Sequence, residues 1–475
     1  MSDNPLPAKS RLLFSAGLPI LVMAALWLLP VPAGLSVKAW HMFAIFAAMI
    51  CGILTQPLPS GAVMIVALSV AIFTGTLSQG KALVGFSNGT VWLIFCAYVL
   101  SLAFIKSGLG RRVAYKLVSM FGGSSLGIAY ALGITDLIIA PATPSVTARS
   151  GGIIFPVARA INEVLGSGPG PTGKKIGDFL TMCCFQVTPI TGAMFLTGMA
   201  ANPLAASLAK QNLDIEISWG GWVLAAAAPC LASFVLTPLL VYALLRPELK
   251  RTPEAREMGK TALAEMGALS HAEKLVGVGF VLGLLGWGTS LITHLSATTV
   301  AFGLVAYLLA TGTLEWKDIL KDHAAWDTVI WFAVIISLAT GLTDLGFVKW
   351  MTTKVGAGMT GWSWMTAFIV LCLGYVYVHY MFATASGHVA ALFVPFTATA
   401  IAAGTPPLMA AMAFGILSNL MWGITEYAGG PGPIYFAQGY FQRPRFYSIN
   451  FVVVSVNVAL TLSIGLIWWK IIGYW

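Results

Sequence analysis

The chain has 475 residues, of which 9% are charged and 58% hydrophobic, and it carries 50 Gly, 24 Pro and 16 Trp. Soluble proteins carry roughly 25% charge, so this chain cannot cover a water-facing surface, and its apolar content excludes disorder. The formal charge of +9 comes from basic residues in short gaps between apolar stretches, which speaks of membrane topology and excludes a nucleic-acid-binding stripe.

In chain order, Lys9 and Arg11 precede an apolar run from Leu12 to Val31. That run is long enough to span a bilayer and lacks a small-x-small cleavage site, so it predicts a first transmembrane helix entering from the cytoplasm. Runs near 39–56, 61–78, 90–107, 178–211, 220–246, 275–292, 296–313, 327–346, 406–440 and 446–472 bring the expected crossings to eleven. Two further apolar blocks, about 118–163 and 358–402, are broken near their middles by small and hydroxyl-bearing residues. They are expected to be re-entrant helical hairpins. Non-helical backbone at membrane depth is tolerated only where protein or a water-filled cavity satisfies it, so the two tips are candidate sites.

This topology leaves Lys38, Lys81, Lys210, Lys349, Lys354 and Lys470 outside, with Arg149 at the first tip and every other Arg inside. It obeys the positive-inside rule and puts the C-terminus outside. The six cysteines (Cys51, Cys96, Cys183, Cys184, Cys230 and Cys372) all lie in apolar segments without Cys-x-x-Cys spacing. They indicate neither a disulfide framework nor a metal site; no metal, cofactor or nucleic-acid partner is expected.

The chain also repeats itself at a spacing near 236–241 residues. Ser60 followed by Thr90-Val91-Trp92 answers Ser296 followed by Thr328-Val329-Ile330-Trp331, and Ser107-Gly108-Leu109-Gly110 answers Thr343-Asp344-Leu345-Gly346. Each half then has an interrupted block (Ser145 before Pro156, Ser386 before Pro395) and a helix broken by Gly and Pro, at Thr197 to Pro203 and Thr425 to Pro433. Because Thr90 is expected outside and Thr328 inside, the repeat is inverted. It divides the chain into 1–56, a first repeat at 57–246, a cytoplasmic loop at 247–273 and a second repeat at 274–472. An inverted repeat with broken helices is the pattern of a secondary transporter that holds substrate at the midplane.

Helix ends at such breaks offer bare N–H groups and partial positive charge, which suit an anion. The first tip adds the hydroxyls of Ser145 and Thr147 after Pro141 and Pro144; the second reads Thr384-Ala385-Ser386-Gly387-His388. His388 could donate to an anion, change charge near neutral pH, or serve a neighbouring carbonyl. His379, within the helix leading to that tip, reads as a packing residue. Glu426 could select among anions, bind a proton or pair with a cation, and Asp136 reads as holding its hairpin together. Nothing resembles a nucleotide-binding loop or a zinc-protease motif. Ser145 and His388 form only a formal dyad, so an intramembrane enzyme and an anion channel stand as alternatives to a carrier.

Trp92-Leu93-Ile94-Phe95, Ser107 to Arg112, Ala140 to Pro156 and Tyr427-Ala428-Gly429-Gly430-Pro431 resemble the divalent anion–sodium symporter family over nearly the whole chain. The resemblance is greatest to its bacterial citrate and tartrate/succinate antiporters and its plastid 2-oxoglutarate/malate translocators. It implies an all-α polytopic homodimer in a bacterial inner membrane, with a scaffold part (including 1–56) and a transport part that moves like an elevator carrying di- or tricarboxylates. The family's Ser-Asn-Thr signature falls by position on Ser145, Val146 and Thr147, and less cleanly on Ser386, Gly387 and His388. The companion breaks, Thr197 to Pro203 and Thr425 to Gly432, contribute Thr197, Asn202, Thr425, Glu426 and Gly430. Val146 removes a side-chain amide and His388 brings a potential cation where sodium-coupled members have neutral oxygens. The expectation is therefore sodium-independent exchange of one carboxylate for another, with sodium- or proton-coupled carboxylate symport as the alternative, by a transporter and not an enzyme.

Overall fold

The computed structural model describes residues 8–357 and 361–475, and every named element in them is helical. The cytoplasmic position expected for the first seven residues, and the opening residues 358–360 of the second apolar block, lie outside the described residues. Nine described helices are long and apolar enough to cross a membrane, or ten if the pair Pro253–Met266 and His271–Gly288, bent by 110°, counts as one span. The expected count was eleven full crossings. The runs read at 61–78 and 296–313 are shorter helices, Ser60–Phe73 and Ala297–Ala310, of 14 residues each. Conversely, three of the nine long helices belong to the two interrupted blocks.

Both short helices end in the same turn. Thr74-Gly75-Thr76-Leu77 and Thr311-Gly312-Thr313-Leu314 each place Gly at positive φ (65° and 66°), where other residues are strained. In each, the two threonine hydroxyls bond at 2.8 and 2.9 Å. This is a further repeated element, and its two copies lie at opposite ends of the molecule. The first is near the Lys81–Asp344 pair, the second near the Lys106–Asp318 pair. Helix Gly89–Ser107 starts where helix His323–Asp344 ends: Asn88 and Thr343 both bond to the second half of helix Ala201–Leu213, at Ser207 and Asn212. The two central helices are therefore antiparallel.

The interrupted blocks are both hairpins. Helix Ser125–Ile139 runs into the break at 140–146 and returns through Thr147–Ile154, a wide π turn, and Phe155–Val164. Its start and the segment after its return rest on the same strip of backbone. Ser125 N–H donates to Lys250 O at 3.3 Å, while Glu248 and Leu249 N–H donate to Lys174 O and Lys175 O at 3.0 Å. That strip follows the C-terminal end of helix Trp219–Leu245. The first hairpin begins at Ser125 rather than near 118, because Leu109–Phe121 is a separate helix with one polar face.

The second hairpin, Trp364–Tyr377 and Ala385–Ala402, closes at the other end of helix Trp219–Leu245. A Cβ on Gly404 would lie 3.4 Å from Trp364 Cβ, Trp364 packs on Trp475 at 5.2 Å, and Tyr474 O–H donates to Gly221 O. The hairpins thus open in opposite directions, and their tips point into the middle of the molecule from opposite ends.

Candidate functional site

The breaks come together. Around a cavity of about 150 Å³ stand Pro144 to Thr147 from the first tip, Thr384 to Ser386 from the second, Met199 and Ala200 from one broken helix, and Trp422, Gly429 and Gly430 from the other. Tyr98 completes the wall from helix Gly89–Ser107, its phenol beside Thr328 and Ser145. Four aliphatic hydroxyls from two hairpins face a space the size of a small organic acid, and no charged side chain lines it. Tyr98 and Ser145 also border a vestibule of about 360 Å³ that leads towards Asp318, Lys321 and Asp322. The carboxyl of Asp318 is held below the usual carboxylate range, mainly by the hydrogen bond from Lys106 Nζ at 2.5 Å.

The local sequence explains each contribution. Prolines 141 and 144 cannot donate to a continuing helix, so the first block breaks there. Ser145 Oγ accepts from Ala148 N–H at 3.2 Å, capping the returning arm and leaving its proton free to donate. Thr384 does the same for the second hairpin by accepting from Gly387 N–H at 3.1 Å. Gly430 allows the closest approach: a Cβ there would collide with Thr147 Oγ1.

Of the sequence-level candidates, Ser145, Val146, Thr147, Ser386 and Gly430 line the cavity. The others do not border it, and their contacts run to the protein around it. Thr197 donates to Pro141 O at 2.6 Å and accepts from Trp219 Nε1 at 3.1 Å, tying the broken helix to the first tip. Asn202 Nδ2 donates to Gly192 O and Phe195 O, and its Oδ1 accepts from Asn419 Nδ2 at 2.7 Å, so it joins the two broken helices. Thr425 Oγ1 accepts from Ala428 N–H, and Gly387 spends its N–H on the cap. Glu426 pairs with Arg443 at 2.8 Å, the cation-pairing option among its three. Asp136 bonds Arg149, and Arg149 Nη1 donates to Thr143 O at 2.6 Å and Gly198 O at 2.8 Å, so one guanidinium fixes a hairpin break and a helix break together.

His388 is fully buried behind the tip and does not border the cavity. Its Nδ1 lies 3.1 Å from His379 Nδ1, and His379 Nε2 lies 3.2 Å from Ala428 O. A carbonyl only accepts, so His379 carries its proton on Nε2 and accepts on Nδ1. His388 then donates from Nδ1 and keeps a bare Nε2, which has no partner. In this tautomer His388 presents an acceptor, not the donor that a carboxylate needs.

Sequence reading missed Tyr98 and Trp422. Neither carries a local signal: each is one aromatic among many in an apolar helix. Trp422 is fully buried, and its Nε1 has no partner.

The chain matches the family described as "Sodium:sulfate symporter transmembrane region" over residues 10–475. It is 44% identical over 462 residues to a candidate malate transporter, YflS, of Bacillus subtilis (strain 168), covering 96% of this chain and 97% of that one. It is 40% identical over 459 residues to the chloroplastic dicarboxylate transporter 1 of Spinacia oleracea, covering 96% and 81%. Among solved structures, Neisseria gonorrhoeae MtrF, described as illuminating a class of antimetabolite efflux pumps, superposes with a TM-score of 0.57. That match covers 98% of this chain and 96% of the other at 13% identity, so it bears on the fold alone.

Proposed function

This chain belongs to the sodium:sulfate symporter transmembrane-region family, transporters and not enzymes, and on that premise we propose that it exchanges one di- or tricarboxylate for another across a bacterial inner membrane. The observation that carries this reading is the uncharged, hydroxyl-lined cavity between two oppositely opening hairpin tips. Ser145, Thr147, Ser386 and the N–H groups at the breaks bind the carboxylates, Val146 and Gly430 shape the space, and Thr197, Asn202 and Gly387 hold the breaks in position. Thr425 with the Glu426–Arg443 pair fixes the second broken segment. His388 acts through that frame, from behind the tip.

Charge arithmetic supports exchange. With no cation in the wall, a dianion carried alone works against the membrane potential at about 2.3 kcal/mol per charge per 100 mV. Returning with a second dianion cancels that work. The vestibule reaching Asp318 and Lys321 supports a state open to the side of residues 315–325, which is the cytoplasmic side in the proposed topology. The hairpins and broken helices form the moving transport part, the N-terminal and central helices form the scaffold, and two copies pair through the scaffold.

Counterflow in proteoliposomes tests this. Uptake of labelled malate, succinate, 2-oxoglutarate or citrate that requires internal carboxylate and ignores a sodium gradient is expected. Sodium-driven accumulation into empty vesicles would select coupled symport instead, the reading that the family's own description favours.

A further inference from the structure

Buried N–H groups are almost always paired, so the bare Nε1 of Trp422 calls for an explanation. The indole has no freedom to find a partner within the protein. A Cβ on Gly429 would fall 2.7 Å from Trp422 Cδ2, so the ring lies directly against the backbone of the break. Phe185 meets it edge-on at 5.7 Å. The 3₁₀ turn Met421–Ile424 that carries the residue is itself buried, and the side chain reaches no solvent. Yet Trp422 forms part of the cavity wall between the two tips.

The other polar side chains of that wall are hydroxyls, which can donate or accept. An indole N–H only donates. It has nothing to offer a cation and suits an acceptor oxygen, best of all a charged one. Building on the carboxylate-exchange reading, we propose that Trp422 is a further substrate-binding residue whose Nε1–H donates to a carboxylate oxygen of the bound acid. The hydroxyls of the two tips arrive on hairpins, whereas this donor arrives on the second broken helix. It therefore adds a fixed direction to an otherwise rotatable set of contacts, and it favours acids over neutral molecules of the same shape.

The test is exchange of labelled malate in proteoliposomes loaded with malate, comparing the wild-type chain, Trp422→Phe and Trp422→benzothienylalanine. The last keeps the ring shape and replaces N–H by sulfur, so it holds the packing on Gly429 while deleting the donor. The expected result is a KM raised about tenfold or more, as for loss of a hydrogen bond to a charged group, with the maximal exchange rate little changed. A merely structural tryptophan would lose rate or folded protein in Trp422→Phe and leave the benzothienylalanine chain at the wild-type KM, and that outcome overturns the proposal. A wild-type chain that exchanges malate while the isostere keeps its KM sinks only the role of Trp422. A folded wild-type chain that exchanges none of the carboxylates sinks the carboxylate reading and this proposal with it.

Discussion

Arg149 Nε lies 2.8 Å from Asp136 Oδ1, and both side chains are cut off from solvent. The pair is also held by Thr191, whose hydroxyl donates to Asp136 Oδ2, and the guanidinium reaches the carbonyls of both Thr143 and Gly198. Removing one partner strands the other charge, at a typical cost of about 3–5 kcal/mol. Asp136→Ala and Arg149→Met should each sharply lower the melting temperature in detergent. The double variant Asp136→Leu/Arg149→Met should recover much of the loss in stability but not the exchange rate, since the two breaks are no longer tied. Melting curves and exchange assays on the three variants check this. Equal stability of single and double variants would show that the charge pairing is not the issue.

Gly430 meets Thr147 more closely than any side chain could. Gly430→Ala should push Thr147 out of place and cut exchange, with little effect on the remote packing. Adding Thr147→Ala removes the colliding hydroxyl and should relieve the local clash, while affinity stays low because a hydroxyl of the cavity is gone. Affinity and melting temperature measured on both variants separate the steric effect from the binding effect.

His379 accepts from His388 and donates to Ala428 O, next to the cavity glycines. His379→Phe keeps the ring volume but leaves His388 Nδ1–H and the Ala428 carbonyl unmet, each at about 1–3 kcal/mol. Lower stability together with weaker substrate binding is expected, because the loosened segment carries Gly429 and Gly430. Thermal unfolding with and without malate reads both effects. Unchanged protection by malate would detach the histidine pair from the site.

Much of this site was legible in the chain. Pro141 with Pro144 and Gly429 with Gly430 are paired helix breakers, unlike the single prolines that helices here absorb, such as Pro189 and Pro395, and two breaks in each half at matching spacing point to the hairpins and their tips. The partners of Thr197 and Asn202 were not legible. A Thr or Asn at a break is equally suited to substrate or to an orphaned carbonyl, and only tertiary contact decides; here both go to carbonyls. The orientation of His388 was not legible either, because it depends on a tautomer set by His379, nine residues earlier. The short helices at Ser60–Phe73 and Ala297–Ala310 escaped because the uncharged Thr-Gly-Thr turn that stops each of them reads as part of the same apolar run.

Outside the apolar spans, the Asp318 carboxyl is pulled below its unfolded value, chiefly by Lys106. A depressed acid contributes stability above its unfolded pKa, and that contribution disappears as pH falls through the folded value. Stability should therefore have an acid limb below about pH 4, near the ordinary Asp range, that flattens in Asp318→Asn. Because Asp318 is only partly buried and its partner Lys106 is exposed, the effect should be small and weaken further in high salt. Melting temperatures between neutral and acid pH at two salt concentrations provide the check.

The end of helix Ala201–Leu213 is fastened to the central helices at the side away from the vestibule. Thr340 O–H donates to Gln211 Oε1 at 2.6 Å, Thr343 O–H donates to Asn212 Oδ1, and Asn88 Nδ2 donates to Ser207 Oγ at 3.3 Å. If the broken helices move against the scaffold, these bonds must open in every cycle, whereas the vestibule beside Tyr98 and Ser145 must close. They then set the balance between the two states without touching substrate. Each is worth about 0.5–1.5 kcal/mol net, so Thr340→Val should move the resting equilibrium a few-fold towards the opposite opening. A cysteine at Ala206, which lines a large cavity on that side, should then react faster with a membrane-impermeant maleimide added from outside. Thr343→Val should add to the effect, and bound malate should change the rate in both backgrounds. Labelling that is insensitive to both substitutions would mean that these contacts stay closed throughout exchange, and the moving boundary would have to lie elsewhere in the fold.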